Sequence, residues 1–369
     1  MAKIPLFIFI HSLLFMLALI LTAGLINTVL PSERIPPSLG DVSVKFQYFT
    51  EHKDDYDMIF LGPSTTYHGI IPKLFDESMA ANGNFVRSFN LGLQAANIAE
   101  MDFYLQKILA LKPANLKWIF LDCFVNSIVD PAPTSARSVY WHNPLKTIEN
   151  FKLVAESPLS FKNKISAFYA NTISFIYRWL GIGGFSNLLQ LRTEALPGLI
   201  SSTEKLIESN GYYAMDWMTN SQEWKKLFQS SLEDYRQRLK TAKSGAFREN
   251  TSTYPLNSYA IQIIKKVVYR IDNQKKNAKK IKMETIFLIP PALDPNNENE
   301  YSVIVEALDL KYISTVFAFY NPNTFPALYE VDSRSDDLHL NHKGAQEFTR
   351  TLASQFSQYL KLSQKEVYN

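Results

Sequence analysis

From Ile4 to Leu30 the chain reads IPLFIFIHSLLFMLALILTAGLINTVL, without one charged side chain. This stretch constrains where everything after it can fold. A helix needs about 20 apolar residues to cross a bilayer, so residues 1–30 are expected to form an uncleaved transmembrane signal anchor. A cleaved signal peptide has a shorter apolar core of about 7–15 residues, with small residues before the cut. Thr22-Ala23-Gly24 matches such a site only weakly. Burial as a core helix is disfavoured, because so long an uninterrupted apolar run suits the terminus of a soluble domain poorly. Lys3 and the amino terminus favour an N-terminus in the cytoplasm, a bias that Arg34 on the other flank makes modest. The remainder is then expected outside the cytoplasm. Pro31, Pro36 and Pro37 read as a stiff exit, and residues 31–55 as a linker.

The rest of the chain has ordinary globular texture. With 46% hydrophobic and 20% charged residues over 369 positions it buries a core and is not disordered. A net charge of +3 gives no support to a nucleic-acid partner. The single cysteine, Cys123, excludes an internal disulfide and a cysteine-based zinc site. Its simplest role is a small buried apolar residue.

Apolar runs at Met58 to Leu61, Val86 to Leu91, Trp118 to Leu121, Thr285 to Ile289 and Val316 to Tyr320 read as buried strands. Helical spacing recurs over Pro72 to Asn82, Ile98 to Leu111 and a C-terminal stretch carrying Phe348, Leu352, Phe356 and Leu360. Strand–helix alternation predicts an α/β fold with a mainly parallel sheet, formed by residues 56–130 and 257–369. In such sheets ligands bind at the carboxyl ends of the strands. Residues 131–256 read as a mainly helical insertion. Within it, Phe161 to Leu180 carries a broad apolar stripe including Ile165, Phe168, Tyr169, Ile173, Ile176 and Trp179, expected to pack in the core or to touch the bilayer or a membrane partner. Trp224 to Leu239 and Ile261 to Ile271 predict two more amphipathic helices, the lysines from 265 to 282 being a solvated face.

Gly62-Pro63-Ser64-Thr65-Thr66 follows the first strand directly. Gly62 permits a sharp turn and Ser64 arrives where a nucleophile can face a cleft, with its N–H a candidate oxyanion donor. Thr66 occupies the second glycine position of the G-x-S-x-G elbow, so that motif is absent. Taken alone, the run equally suits a turn or a helix cap. A second block, Ser335-Asp336-Asp337-Leu338-His339-Leu340-Asn341-His342, precedes the last helix. An aspartate three residues before a histidine can hold one ring nitrogen while the other faces a serine hydroxyl, which needs such a base to become nucleophilic. The competing readings are a helix cap at Asp336 or Asp337, and a metal site using Asp336, Asp337, His339 and His342 that no other cluster completes.

Together the two blocks resemble the SGNH/GDSL hydrolase superfamily, over about Asp57 to Asn126 and Met283 to Leu360. Through GPSTTYHGIIP, FNLGLQAANIAEM, IFLIPPA and DDLHLNHKGAQEF the chain is most similar to membrane-anchored envelope proteins of the DltD and alginate O-acetylation type. The resemblance implies a flavodoxin-like three-layer domain, with Ser64 as nucleophile, His339 as base and Asp336 as its orienter. It implies oxyanion or substrate-binding roles at Gly92, Ala95 and Asn126. Ala95 stands where the family has glycine, Pro63 where it has aspartate, and Asn126 is displaced from the third-block asparagine by about two positions. Asn97 is better read as a helix-start residue.

The expectation is therefore a single-pass protein of the bacterial cytoplasmic membrane with its catalytic domain on the periplasmic or extracellular side. Through an acyl-serine it would transfer or hydrolyse O-acyl or O-acetyl groups on an envelope polysaccharide. An acylated envelope glycan or lipid-linked substrate and an integral-membrane acyltransferase are the expected partners. Serine acyl chemistry needs no cofactor or metal. Two alternatives stand beside it: a non-catalytic scaffold for a glycan or membrane acyltransferase, and a secreted lipase-like hydrolase. His68, four residues after Ser64, and the aromatics of Asn210-Gly211-Tyr212-Tyr213 are further candidates near a cleft, with packing roles favoured.

Overall fold

Five short apolar strands pair side by side, all parallel, in the order β2-β1-β3-β4-β5. They are β1 (Met58–Leu61), β2 (Ser88–Asn90), β3 (Trp118–Leu121), β4 (Glu284–Ile289) and β5 (Val316–Ala318). The computed structural model describes residues 6–29, 39–122, 132–157, 159–181, 197–244, 258–277, 283–293 and 297–368. The register sets Phe60 beside Phe120, and Phe120 beside Ile286.

Alternation along the strands builds three layers. Ile59, Leu61, Ile119, Leu121, Phe287 and Ile289 point into one core. There they meet α2 (Asp41–His52), α5 (Ile98–Ala110), α12 (Ser258–Asn277) and α13 (Asn297–Asp309). Met58, Phe60, Phe120, Ile286, Leu288 and Phe317 point into the other, under α4 (Pro72–Ala81) and α14 (His342–Tyr368). On α14 the spacing of four delivers Phe348, Leu352 and Phe356 to that core fully buried. Phe356 packs edge-on to Phe120 and Trp118.

The order 2-1-3-4-5 is flavodoxin-like, and it puts a topological switch point between β1 and β3, where a crevice opens at the carboxyl ends of the strands. Residue 31–55 is not all linker. Asp41–His52 forms α2, which buries Val42, Phe46 and Phe49 on one face at spacings of four and three.

The insertion supplies α6 (Ala136–Trp141), α7 (Pro144–Glu156), α8 (Phe161–Trp179), α9 (Pro197–Glu208), α10 (Ser221–Ser230) and α11 (Leu232–Lys243). The stretch expected as one helix around Ser231 is two. Ser231 leaves helical geometry at φ −105°, ψ 7°, ends α10 and begins α11, and still sends Phe228 and Tyr235 into the same core. Leu153, Val154 and Ala167 enter the first core and Tyr212, Phe228 and Tyr235 the second, so the insertion is packed into the domain on both faces. Just after α9, Asn210 accepts from the backbone N–H of Asn90 at 2.9 Å. Gly211, at φ +88°, lies so close that a Cβ would sit 2.1 Å from the Asn90 carbonyl oxygen. This contact brings Tyr213 to the crevice.

Ahead of the domain stands α1 (Leu6–Val29). Its segment Leu6–Leu25 is long and apolar enough to cross a membrane, and it is not buried against the protein.

Candidate active site

The chain leaves β1 through Gly62, where a Cβ would fall 2.2 Å from Thr66 Oγ1 and 2.7 Å from Asp122 Cβ. Only glycine fits so close a turn. Pro63 then caps α3 (Ser64–Gly69) in extended geometry, which puts Ser64 in the first turn. The first N–H groups of a helix have no partner within it, so Ser64 presents its hydroxyl beside donors suited to an oxyanion.

Two threonines anchor this turn. Thr65 Oγ1 and Thr66 Oγ1 donate to Asp122 Oδ2 at 2.6 and 3.1 Å, across from the end of β3. Asp122 is fully buried, and its Oδ1 has no hydrogen-bond partner among the described residues. Burial pushes its carboxyl up to about 7 against the pull of the two hydroxyls. A carboxyl raised on folding binds more protons in the folded chain, so the contribution of Asp122 to stability declines as pH rises from about 4 to about 7. Asp122→Asn is expected to flatten that decline, which has a limiting slope of about 1.4 kcal/mol per pH unit. Urea midpoints measured across this range for both proteins check it; parallel pH profiles would contradict the assignment.

The histidine arrives from the loop before α14. His339 Nε2 lies 2.7 Å from Ser64 Oγ, and His339 Nδ1 lies 2.9 Å from Asp336 Oδ2. Asp336 Oδ1 also accepts the backbone N–H groups of Leu338 and His339, at 2.8 and 2.6 Å. Burial raises this carboxyl, but the His339 ring and the two N–H donors outweigh it and hold it down at about 2. Asp336 therefore stabilises the fold above the ordinary carboxylate range, and that contribution is lost as pH falls through about 2. At neutral pH it is a carboxylate, which fixes a proton on Nδ1 and leaves Nε2 facing the serine as acceptor.

Buried Arg334 shapes the loop. Its guanidinium donates to the carbonyls of Pro291, Asp336 and Asp337 at 2.9, 3.1 and 2.5 Å, tying the end of β4 to the Asp-His turn. Asn341 caps α14 through Gly344 N–H at 3.0 Å. A Cβ on Gly344 would stand 2.0 Å from the Ser333 carbonyl oxygen. Asp337 turns away to Arg238 at 2.7 Å, and His342 to the Tyr212 hydroxyl at 2.9 Å. The four residues of the metal reading thus diverge; no group of three metal-ligating side chains occurs among the described residues.

The other expected site residues sort differently. Gly92 donates its N–H to Asn90 Oδ1 at 2.8 Å, and a Cβ there would lie 2.5 Å from the Tyr67 nitrogen. Its N–H is committed within the protein, so Gly92 acts by close packing and as cavity lining rather than as an oxyanion donor. Ala95 sits in an exposed turn at φ +50°, a left-handed conformation that glycine favours. Asn126 and Cys123 lie outside the described residues. Asn97 is a helix start: its side chain accepts from Glu100 N–H at 2.9 Å. His68 does not serve Ser64. Its Nδ1 donates to the Tyr213 carbonyl at 2.6 Å, and its ring stands edge-on to His339 at 6.0 Å. Burial and the neighbouring His339 push it down to about 3, so it stays neutral.

Several supports were not singled out from sequence. Asn90 Nδ2 donates to the carbonyls of Thr66 and Ile70, both at 2.8 Å, closing the far end of α3. Lys45, buried on α2, donates to the Gly92 carbonyl at 2.7 Å beneath the Tyr67 ring. Arg137 clamps Glu100 through two nitrogens at 2.7 and 2.9 Å and holds the Gln94 carbonyl at 2.6 Å. Beside them Asp41, Tyr67, Gly92, Gln94 and Arg137 line a cavity of about 130 Å³ with Leu39, Val42 and Leu93. Gln94 reaches from this cavity toward His68, at 3.4 Å from Nε2.

Ser64, His339 and Asp336 thus form a hydrogen-bonded line of hydroxyl, imidazole and carboxylate. No protein-family model matches the chain, and no curated protein matches it.

Proposed function

We propose that this chain is a membrane-anchored serine acyltransferase or esterase of SGNH type, working on O-acyl or O-acetyl groups of a cell-envelope polysaccharide. The observation that carries the reading is the hydrogen-bonded line Asp336–His339–Ser64, in which histidine and serine come from positions 275 apart. The resemblance of GPSTTYHGIIP and DDLHLNHKGAQEF to that superfamily supports the same roles, as does the siting of Ser64 at a flavodoxin-like switch point.

In this reading Ser64 Oγ attacks the acyl carbonyl as His339 Nε2 takes the hydroxyl proton. Asp336 stabilises the imidazolium, and backbone N–H groups at the start of α3 stabilise the oxyanion. His339 returns the proton to the departing alcohol, leaving an acyl-Ser64 ester. A sugar hydroxyl or water then loses its proton to His339 and attacks that ester, and Ser64 departs with the proton. Exclusion of water from the cleft decides between transfer and hydrolysis.

The anchor reading rests on Leu6–Leu25. With Lys3 on the cytoplasmic flank, the domain faces the periplasmic or extracellular side of a bacterial cytoplasmic membrane. An acylated glycan or lipid-linked donor, and an integral-membrane acyltransferase as supplier, are the partners this placement calls for.

Brief incubation with p-nitrophenyl acetate, acid quench and peptide mass mapping tests the chemistry. The acetyl group is expected on the peptide containing Ser64, and no acetylation there is expected in His339→Ala. Acetyl groups confined to lysines in both proteins would sink the proposal.

A further inference from the structure

On α8 the usual arrangement of an amphipathic helix is reversed. The face turned into the domain buries small or polar residues, Ala167, Ala170, Asn171 and Ser174, with Phe168 half-buried at its edge against the first core. The face turned outward carries Phe161, Ile165, Tyr169, Ile176 and Trp179 in one stripe with Thr172, and Lys162, Asn163 and Ser166 are exposed beside its start. Phe161 is 80% exposed, Tyr169 67% and Ile165 53%. Leu145 and Ile148 of the neighbouring α7 are exposed as well. A contiguous apolar face of this kind is costly in water and marks a contact surface.

The occupant follows from where α8 meets α1. A Cβ on Gly24 would lie 3.4 Å from the Trp179 ring, so the last turn of α8 touches α1 where its apolar segment Leu6–Leu25 ends. If that segment crosses a bilayer, Trp179 stands at the membrane–water boundary, the depth that tryptophan and tyrosine favour. From that fixed end, α8 extends about 28 Å at 1.5 Å per residue. Lys162 and Lys164 flank the apolar face at its start, as basic residues flank the apolar face of helices that lie in a lipid surface, whereas Arg178 turns inward to the Tyr140 carbonyl.

We propose that the outer face of α8 lies on the lipid surface that α1 enters, seating the domain on the membrane at a second place. The inference rests on α1 spanning the bilayer but is independent of the chemistry at Ser64.

The test uses the full chain carrying Cys123→Ser, with single spin-labelled cysteines, reconstituted in vesicles of phosphatidylcholine and phosphatidylglycerol. Collision rates with oxygen, which concentrates in lipid, and with a water-soluble nickel chelate are measured at each label. Leu14→Cys reports whether α1 spans, and Glu233→Cys, at an exposed position on α11, gives the aqueous reference. Labels at Ile165, Tyr169 and Ile176 are expected to show an oxygen-to-nickel ratio several-fold above that at Glu233 and below that at Leu14. Ratios equal to that at Glu233, with Leu14 in lipid, would overturn the seat and leave the anchor standing. Labels as deep as Leu14 would make α8 a membrane-inserted helix, and labels shielded from both reagents would make the face a protein–protein contact; each refutes the surface seat. An aqueous Leu14 would remove the anchor and the seat together.

Discussion

Ser64→Ala and His339→Ala are each expected to abolish measurable ester turnover while the protein stays folded. Loss of the general base alone costs about 10²–10⁴-fold in rate, and loss of the hydroxyl removes the covalent route entirely. Because the two side chains act as one unit, the double variant is expected to lose hardly more than either single one. Ser64 and His339 share one hydrogen bond at the cleft edge, and a typical hydrogen bond contributes about 0.5–1.5 kcal/mol net. The melting temperature of Ser64→Ala should therefore change little, and that of His339→Ala should fall further, because half-buried Asp336 loses its partner at Nδ1 as well. Initial rates on p-nitrophenyl acetate, paired with thermal melts, check both halves. Undiminished rates in either variant would show that the turnover comes from elsewhere.

Asp336→Asn is expected to lower kcat by about 10⁴-fold and leave KM almost unchanged, as loss of the carboxylate that orients a catalytic histidine does. An amide oxygen can still accept the N–H groups of Leu338 and His339, which in the wild type lie 2.8 and 2.6 Å from Asp336 Oδ1, so the loop is expected to keep its shape. The lost element is the negative charge against Nδ1. Without it the imidazole is free to carry its proton on Nε2, where it cannot accept from Ser64. A large rise in KM with unchanged kcat would instead assign Asp336 to substrate binding. Steady-state kinetics, with circular dichroism as a fold control, separates the two.

Much of this was legible because the signals are local. The apolar runs gave the five strands, and Ser64 and the Asp336–His339 spacing stood out as short motifs at the ends of elements. What escaped depends on contacts distant in sequence. Asp122 is one carboxylate after a strand until Thr65 and Thr66, 57 and 56 positions away, are seen to donate to it. Arg334 belongs to no motif, and only the fold shows its guanidinium buried among loop carbonyls. Gly92 has the expected glycine but spends its N–H on Asn90, while Ala95 lacks the glycine and still adopts a left-handed backbone. By contrast, α2 carried a readable signal, since Val42, Phe46 and Phe49 have helical spacing that the prolines before them obscured. No periodicity could reveal which face of α8 turns outward, because its stripe suits a core as well as a membrane.

The most direct test is the intact mass of the detergent-purified protein after treatment with a fluorophosphonate, which reacts with a serine only when a base has activated it. One covalent adduct per chain is expected in the wild type and none in Ser64→Ala or His339→Ala. Folded wild-type protein that takes up no adduct, or an adduct that persists in Ser64→Ala, would contradict the account.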